Sequence, residues 1–133
     1  MTTTYFLNNI MGNVFGTKTT PTLPMNYYVG LSTSAPRIDG TGVTEPASSA
    51  GYARIKLSSL GEPSNGIITN GESISFDESL SSWGTVTHFV IYDSLTGGNL
   101  LMYDALTSSR AIEEATVVTI KNGSLLLTLA NPA

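Results

Sequence analysis

The sequence contains no cysteine, and this absence removes several classes of site at once. The chain cannot form a disulfide framework, a thiolate metal site or a thiol nucleophile. Charged residues are also scarce, at 12% of the 133 residues, against roughly 25% in a typical soluble domain. Only six are Lys or Arg and the net charge is −4. Nucleic acid is therefore an improbable partner, because binding to a phosphate backbone needs several clustered cations.

Long apolar runs are missing as well. No stretch approaches the roughly 20 apolar residues of a membrane span, so membrane insertion is not expected. Residues 1–15 lack the basic start and long apolar run of a secretory signal peptide. What remains is a chain rich in Thr, Ser, Asn and Gly, a composition that suits strands and tight turns. Its length fits a single domain, residues 1–133, with a core that needs no disulfide or metal.

The N-terminal segment has the periodicity of a short amphipathic helix. Apolar residues recur there at helical spacing: Phe6, Ile10 and Val14, with Leu7 and Met11 beside them. Thr3 or Thr4 is placed to cap the start of this helix. The weak helix formers Asn8, Asn9 and Gly12 make the helix marginal in isolation. Residues 1–16 are therefore predicted to be a helical anchor that docks on another surface.

Short alternating segments predict strands at residues 26–33, 52–57 and 73–76. Between the first two lies a segment, residues 35–51, with turn chemistry and no periodicity, which predicts a long exposed loop. In residues 52–57 the alternation places Tyr52, Arg54 and Lys56 on one side. We expect that side to face water or a partner.

Two hairpins are predicted in the second half of the chain. The first joins residues 84–93 to residues 99–106 through a Gly-rich turn. The second joins residues 116–120 to residues 125–129 around Asn122-Gly123, a pair that tolerates the positive φ of tight turns. Several short strands with one helix at the start predict an all-β fold, an antiparallel β-sandwich or jelly-roll-like domain with one short N-terminal helix.

Both strands of the first hairpin are apolar on both faces, which is typical of central, buried strands. The second face must then be covered by the helix or by another subunit. The predicted oligomer interface consists of the following side chains: Phe6, Ile10, Phe89, Val90, Ile91, Tyr92, Leu101 and Tyr103.

The sequence offers little for catalysis. His88, the only histidine, lies within a predicted strand, flanked on its own face by Val86 and Val90, a poor setting for a nucleophilic triad. No pair of carboxylates has the spacing that acid–base catalysis needs. Asp93 and Asp104 flank the first hairpin, which leaves a calcium site open as an alternative. We expect no enzymatic activity and no cofactor.

A carbohydrate-binding module is the alternative reading of the aromatic residues. Flat rings with polar tips can stack on sugars if they are exposed together. The candidates are Tyr27, Tyr28, Tyr52, Trp83, Tyr92 and Tyr103. Packing in the core or in an interface is the competing interpretation of the same residues.

Four runs of sequence resemble a known family: residues 28–36 (YVGLSTSAP), 51–54 (GYAR), 83–89 (WGTVTHF) and 97–101 (GGNLL). In this order they resemble small tailed-phage proteins commonly labelled phage tail fibre or virion structural proteins, over nearly the whole chain. The resemblance implies a virion structural protein, an exterior part of the tail or fibre apparatus, a capsid decoration or a head-fibre subunit. It also implies assembly in the host cytoplasm, a homotrimer and contacts with other phage structural proteins. Attachment to a host surface glycan is the alternative role.

Overall fold

The structure, a computed structural model, describes residues 1–16 and 19–129, so residues 130–133 of the predicted domain lie outside it. Within the described residues the chain forms one α-helix and eight strands. They are α1 (Thr4–Val14), β1 (Tyr28–Ser32), β2 (Ile55–Lys56), β3 (Ile67–Thr69), β4 (Ile74–Ser75), β5 (Gly84–Tyr92), β6 (Leu100–Ile112), β7 (Thr119–Ile120) and β8 (Leu126–Thr128). The prediction of a small β-rich domain with antiparallel strands and one short N-terminal helix is confirmed.

The central sheet has four strands in the order β2-β1-β5-β6. The predicted first hairpin is present as β5 and β6, and β1 pairs with the other edge of β5. Thr87 of β5 stands opposite residues 106–109 of β6, so β6 bulges at that point. One face of this sheet carries Val29, Leu31 and Ile91 into the main core.

The predicted second hairpin is wrong. Its two arms form β7 and β8, but β7 pairs with β4 and β8 pairs with β3, which gives two separate two-stranded ribbons. The cause is Asn70, whose buried side chain lies inside the turn at residues 121–124. Its Nδ2 donates to the Lys121 carbonyl at 2.9 Å and its Oδ1 accepts from the Leu125 amide at 2.9 Å. Asn70 thus takes hydrogen bonds that the two arms would otherwise exchange.

Helix α1 lies against β6, and its buried residues are Phe6, Asn9 and Gly12. Phe6 joins the main core, whereas Asn9 and Gly12 face residues 20 and 21. Thr3 is the cap. Its hydroxyl accepts from the Phe6 amide at 3.3 Å and donates to the Leu100 carbonyl at 2.7 Å, so one side chain both starts the helix and fastens it to the sheet. The helix is too short to cross a membrane, as is every other helix in the described part of the chain.

Candidate assembly surfaces

Most of the side chains predicted to contact another subunit are buried inside this chain. Phe6, Phe89, Val90, Ile91, Tyr92, Leu101 and Tyr103 are all buried, and Ile10 is half-buried against the main core. Phe89, Ile91 and Leu101 belong to the core that the sheet shares with the helix and the ribbons. In this conformation these side chains offer almost no surface to a second copy.

The second face of the central sheet is covered by residues 35–51, the segment predicted to be an exposed loop. Many of its side chains are exposed, but Val43 packs against the apolar cluster on this face, which consists of Val90, Tyr92, Leu100 and Tyr103. The Thr33 amide also donates to the Thr44 carbonyl at 2.9 Å, which ties the segment to the end of β1. The chain therefore covers with residues 35–51 part of the face that was expected to need the helix or another subunit.

A buried ion pair fastens this segment in place. Arg54 Nη2 and Nε donate to the two carboxylate oxygens of Glu45 at 2.6 and 3.0 Å. Arg54 Nη1 donates to the carbonyls of Ser94 and Gly97, both at 2.7 Å, in the turn between β5 and β6. The guanidinium also lies 3.6 Å above the centre of the Tyr92 ring. We call this group the Arg54 clamp: Glu45, Tyr52, Arg54, Tyr92 and the turn at residues 94–97.

The expectation that one side of residues 52–57 faces water or a partner holds for Lys56, which is exposed, whereas Tyr52 and Arg54 are buried inside the chain. Burial raises the pKa of Tyr52, and the hydrogen bond to Glu45 and the Glu45 charge raise it further, so the phenol remains neutral. Burial alone would lower the pKa of Arg54, but the hydrogen bonds and charge of Glu45 outweigh it and raise that pKa. Arg54 therefore stays charged beside a neutral phenol.

Gly30 has no side chain, and the Tyr52 hydroxyl of the clamp occupies the space that a Cβ would fill. The Tyr52 hydroxyl donates to Glu45 Oε2 at 2.5 Å and accepts from the Leu31 amide at 3.0 Å. A Cβ at position 30 would overlap this hydroxyl and would lie 3.0 Å from Glu45 Oε2. Any larger residue at this position must displace the clamp from the sheet.

We expect Gly30→Ala to lower the free energy of unfolding by about 1–3 kcal/mol, as overpacking does in well-filled interiors. Urea unfolding of the purified protein measures the change. The matched control is Gly61→Ala, because a Cβ there meets its nearest neighbours at 3.5 Å, an ordinary contact distance. Equal stability of the two variants would show that the space beside Gly30 does not matter.

The outer side of α1 is apolar and exposed. Leu7, Met11, Val14 and Phe15 are exposed by 45%, 56%, 66% and 74%. Their spacing of four, three and one residue places them within about 100° on the side opposite the buried face. We call these four residues the α1 outer stripe. The sequence does show the helical spacing of Leu7, Met11 and Val14. That spacing was interpreted as part of a docking face with Phe6 and Ile10, and not as an exposed apolar side.

The residues considered for chemistry are not brought together. The His88 ring is half-buried and its Nδ1 lies 2.8 Å from Thr87 Oγ1 on the same strand. Asp93 Oδ1 and Oδ2 accept from Asn99 in the hairpin turn, whereas Asp104 stands opposite Phe89 further along the sheet. Among the described residues no three His, Asp or Glu side chains are grouped closely enough to hold a metal ion.

The aromatic residues considered for sugar stacking are mostly enclosed. Tyr52, Trp83, Tyr92 and Tyr103 are buried, and Tyr27 and Tyr28 are half-buried. Tyr52 and Trp83 pack edge to face with ring centres 5.4 Å apart. These rings therefore form core, and the carbohydrate-binding hypothesis loses the exposed platform on which it depended.

The chain matches the model of a known protein family. The model of a family described as podophage GP4 fiber I protein gp80 matches residues 1–128. No curated protein matches the chain.

Proposed function

The chain belongs to this family of podophage fibre proteins, and we propose that it works in the virion as a non-enzymatic structural subunit. It acts by assembly, as a homotrimer that also contacts other virion proteins. The α1 outer stripe supports this proposal most directly, because it leaves four large apolar side chains without cover on one face of a short helix.

Such a stripe is costly to leave in water. Burial of a large apolar side chain contributes about 1.5–3 kcal/mol, and contiguous exposed apolar surface on a soluble protein commonly marks an interaction site. The helix contains no Lys, Arg, Asp or Glu to interrupt its outer side.

The spacing within the stripe favours packing of helix against helix. Leu7, Met11 and Val14 are separated by four and three residues, the spacing of the core positions in a coiled coil. Three copies of α1 around a common axis would bury these side chains against one another. The helix would then be stabilised by assembly, which suits a segment whose Asn and Gly content makes it a weak helix former on its own.

Immunoelectron microscopy of purified virions tests the structural role. An antibody raised against this chain should label the fibres of intact particles, and mass spectrometry of the same particles should detect the chain. Particles that contain no copy of the chain would contradict the proposal, as would loss of the chain from virions without any change in their fibres.

A further inference from the structure

A second surface of the domain has the form of a groove. It lies between the bulged part of β6 and the turn after β7 and encloses about 310 Å³. Its floor is apolar, because the buried side chains of Leu31, Val86 and Leu125 line it, and Leu106 stands half-buried at its side. A groove of this kind can accept an apolar side chain from another molecule.

The groove carries positive charge in a chain whose net charge is negative. Arg110 and Lys121 both line it, and both are exposed. Within the described residues neither of them forms an ion pair, since the two ion pairs found there involve Arg54 and the N-terminal amine. The groove therefore suits an occupant that combines an apolar side chain with carboxylates.

The same chain presents such a surface at one corner. Ser79 joins two acidic segments there, because its hydroxyl donates to the Glu113 carbonyl at 2.5 Å and its carbonyl accepts from the Ala115 amide at 2.8 Å. These hydrogen bonds place residues 77–79 alongside residues 113–115. Asp77 and Glu78 therefore lie on a segment next to the one that carries Glu113 and Glu114. We call these four carboxylates the acidic corner.

The acidic corner also contains the apolar element that the groove would need. Leu80 follows Ser79 and is 66% exposed, and its backbone is fixed because its amide donates to the Ala50 carbonyl at 2.8 Å. None of the four carboxylates forms an ion pair in the part of the chain that the structure describes. The corner thus presents an exposed apolar side chain within three residues of two exposed carboxylates, on a backbone held by hydrogen bonds.

We propose that the acidic corner of one copy binds in the groove of the next copy. The contact joins two different surfaces, so it is heterologous, and repeated around a closed ring it links each subunit to both neighbours. This inference rests on the proposed homotrimer and names the lateral contact within it. The groove lies along β6 beyond the part against which α1 docks, so one strand supports both contacts.

Charge reversal tests the pairing by light scattering. We expect Arg110→Glu with Lys121→Glu to shift the protein from the mass of three chains toward that of one, because like charges then face each other across the contact. Reversal of the whole acidic corner, by changing Asp77, Glu78, Glu113 and Glu114 to Lys, should do the same. The chain that carries all six substitutions should regain the mass of three chains, since opposite charges again face each other.

The controls separate this contact from a general effect of charge. Arg37→Glu with Lys56→Glu makes the same change of net charge at exposed positions away from the groove, and should leave the mass unchanged. Circular dichroism verifies that each variant is folded. A trimer that survives either reversal, or a sixfold variant that stays dissociated, overturns the groove contact alone. An unaltered chain that is monomeric overturns the homotrimer itself.

Discussion

Arg54→Ala lowers the free energy of unfolding by about 3–5 kcal/mol, the loss expected when one partner of a buried ion pair is removed. The Arg54 side chain is 6% exposed and that of Glu45 is 21% exposed, so the carboxylate left behind has little access to water. The carbonyls of Ser94 and Gly97 also lose their donor. A domain of ordinary stability, about 5–15 kcal/mol, would lose a large part of it.

Three further variants identify the source of this loss. Arg54→Lys keeps the charge but cannot reach both carboxylate oxygens and both carbonyls at once, so we expect an intermediate loss. Glu45→Ala with Arg54→Ala should be more stable than the sum of the single changes predicts, because no unpaired charge remains. Arg37→Ala, at an exposed position, should change the stability by less than about 0.5 kcal/mol. Urea unfolding measures all of them, and a loss below about 1 kcal/mol for Arg54→Ala would contradict the clamp.

Trp83→Ala has an effect of similar size, about 3–5 kcal/mol, by a different mechanism. Trp83 is buried between Tyr52 and Phe76, with ring centres 5.4 and 6.4 Å away, both edge to face. Its indole Nε1 donates to the Ala50 carbonyl at 2.9 Å. Truncation to Ala leaves a cavity at the centre of this aromatic group and a buried carbonyl without its donor.

Trp83→Phe is the matched variant, because it keeps an aromatic ring and removes the N–H donor. We expect it to lose less stability than Trp83→Ala, since most of the packing remains. Thermal unfolding followed by calorimetry measures both. Equal losses in the two variants would mean that the hydrogen bond to Ala50, and not the aromatic packing, carries the stabilisation.

Local pattern predicted the elements of this fold better than their pairing. The hairpin of β5 and β6 is correct because two long apolar strands with a Gly-rich turn leave few alternatives. The last hairpin had an Asn-Gly turn and two suitable arms, yet its strands pair elsewhere. The deciding residue is Asn70, more than 50 positions away from the turn in the sequence, which its side chain enters. The spacing of apolar residues along the two arms cannot show that a side chain from a distant segment enters the turn between them.

The same limit applies to the second face of the central sheet. The apolar residues on both sides of β5 correctly predicted a strand that loses water on each side. The covering segment was not predictable, because residues 35–51 have no periodicity and reach the sheet through Val43 and through the pair of Glu45 with Arg54. Alternation in residues 52–57 suggested water or a partner for a side on which Arg54 is instead buried by Glu45 and by the carbonyls of Ser94 and Gly97, about 40 residues further along the chain.

The runs that resemble phage fibre proteins meet around the Arg54 clamp. Gly30 leaves room for Tyr52, Arg54 binds the carbonyl of Gly97, and Trp83 packs against Tyr52. These residues therefore account for how the segment at residues 35–51 is held on the sheet. The surfaces that we propose for assembly, the α1 outer stripe and the groove along β6, do not include the clamp.

The solution mass of the full chain, measured by light scattering beside the variant Leu7→Gln/Met11→Gln/Val14→Gln, tests the assembly role most directly. Gln keeps the helix propensity while removing the apolar side chains from the stripe. The triple change Leu60→Gln/Leu126→Gln/Leu129→Gln is the control, because it alters exposed apolar residues away from α1. We predict the mass of three chains for the unaltered protein and the control, and the mass of one folded chain for the α1 variant. A mass of one chain for the unaltered protein, or of three for the α1 variant, would contradict assembly through α1.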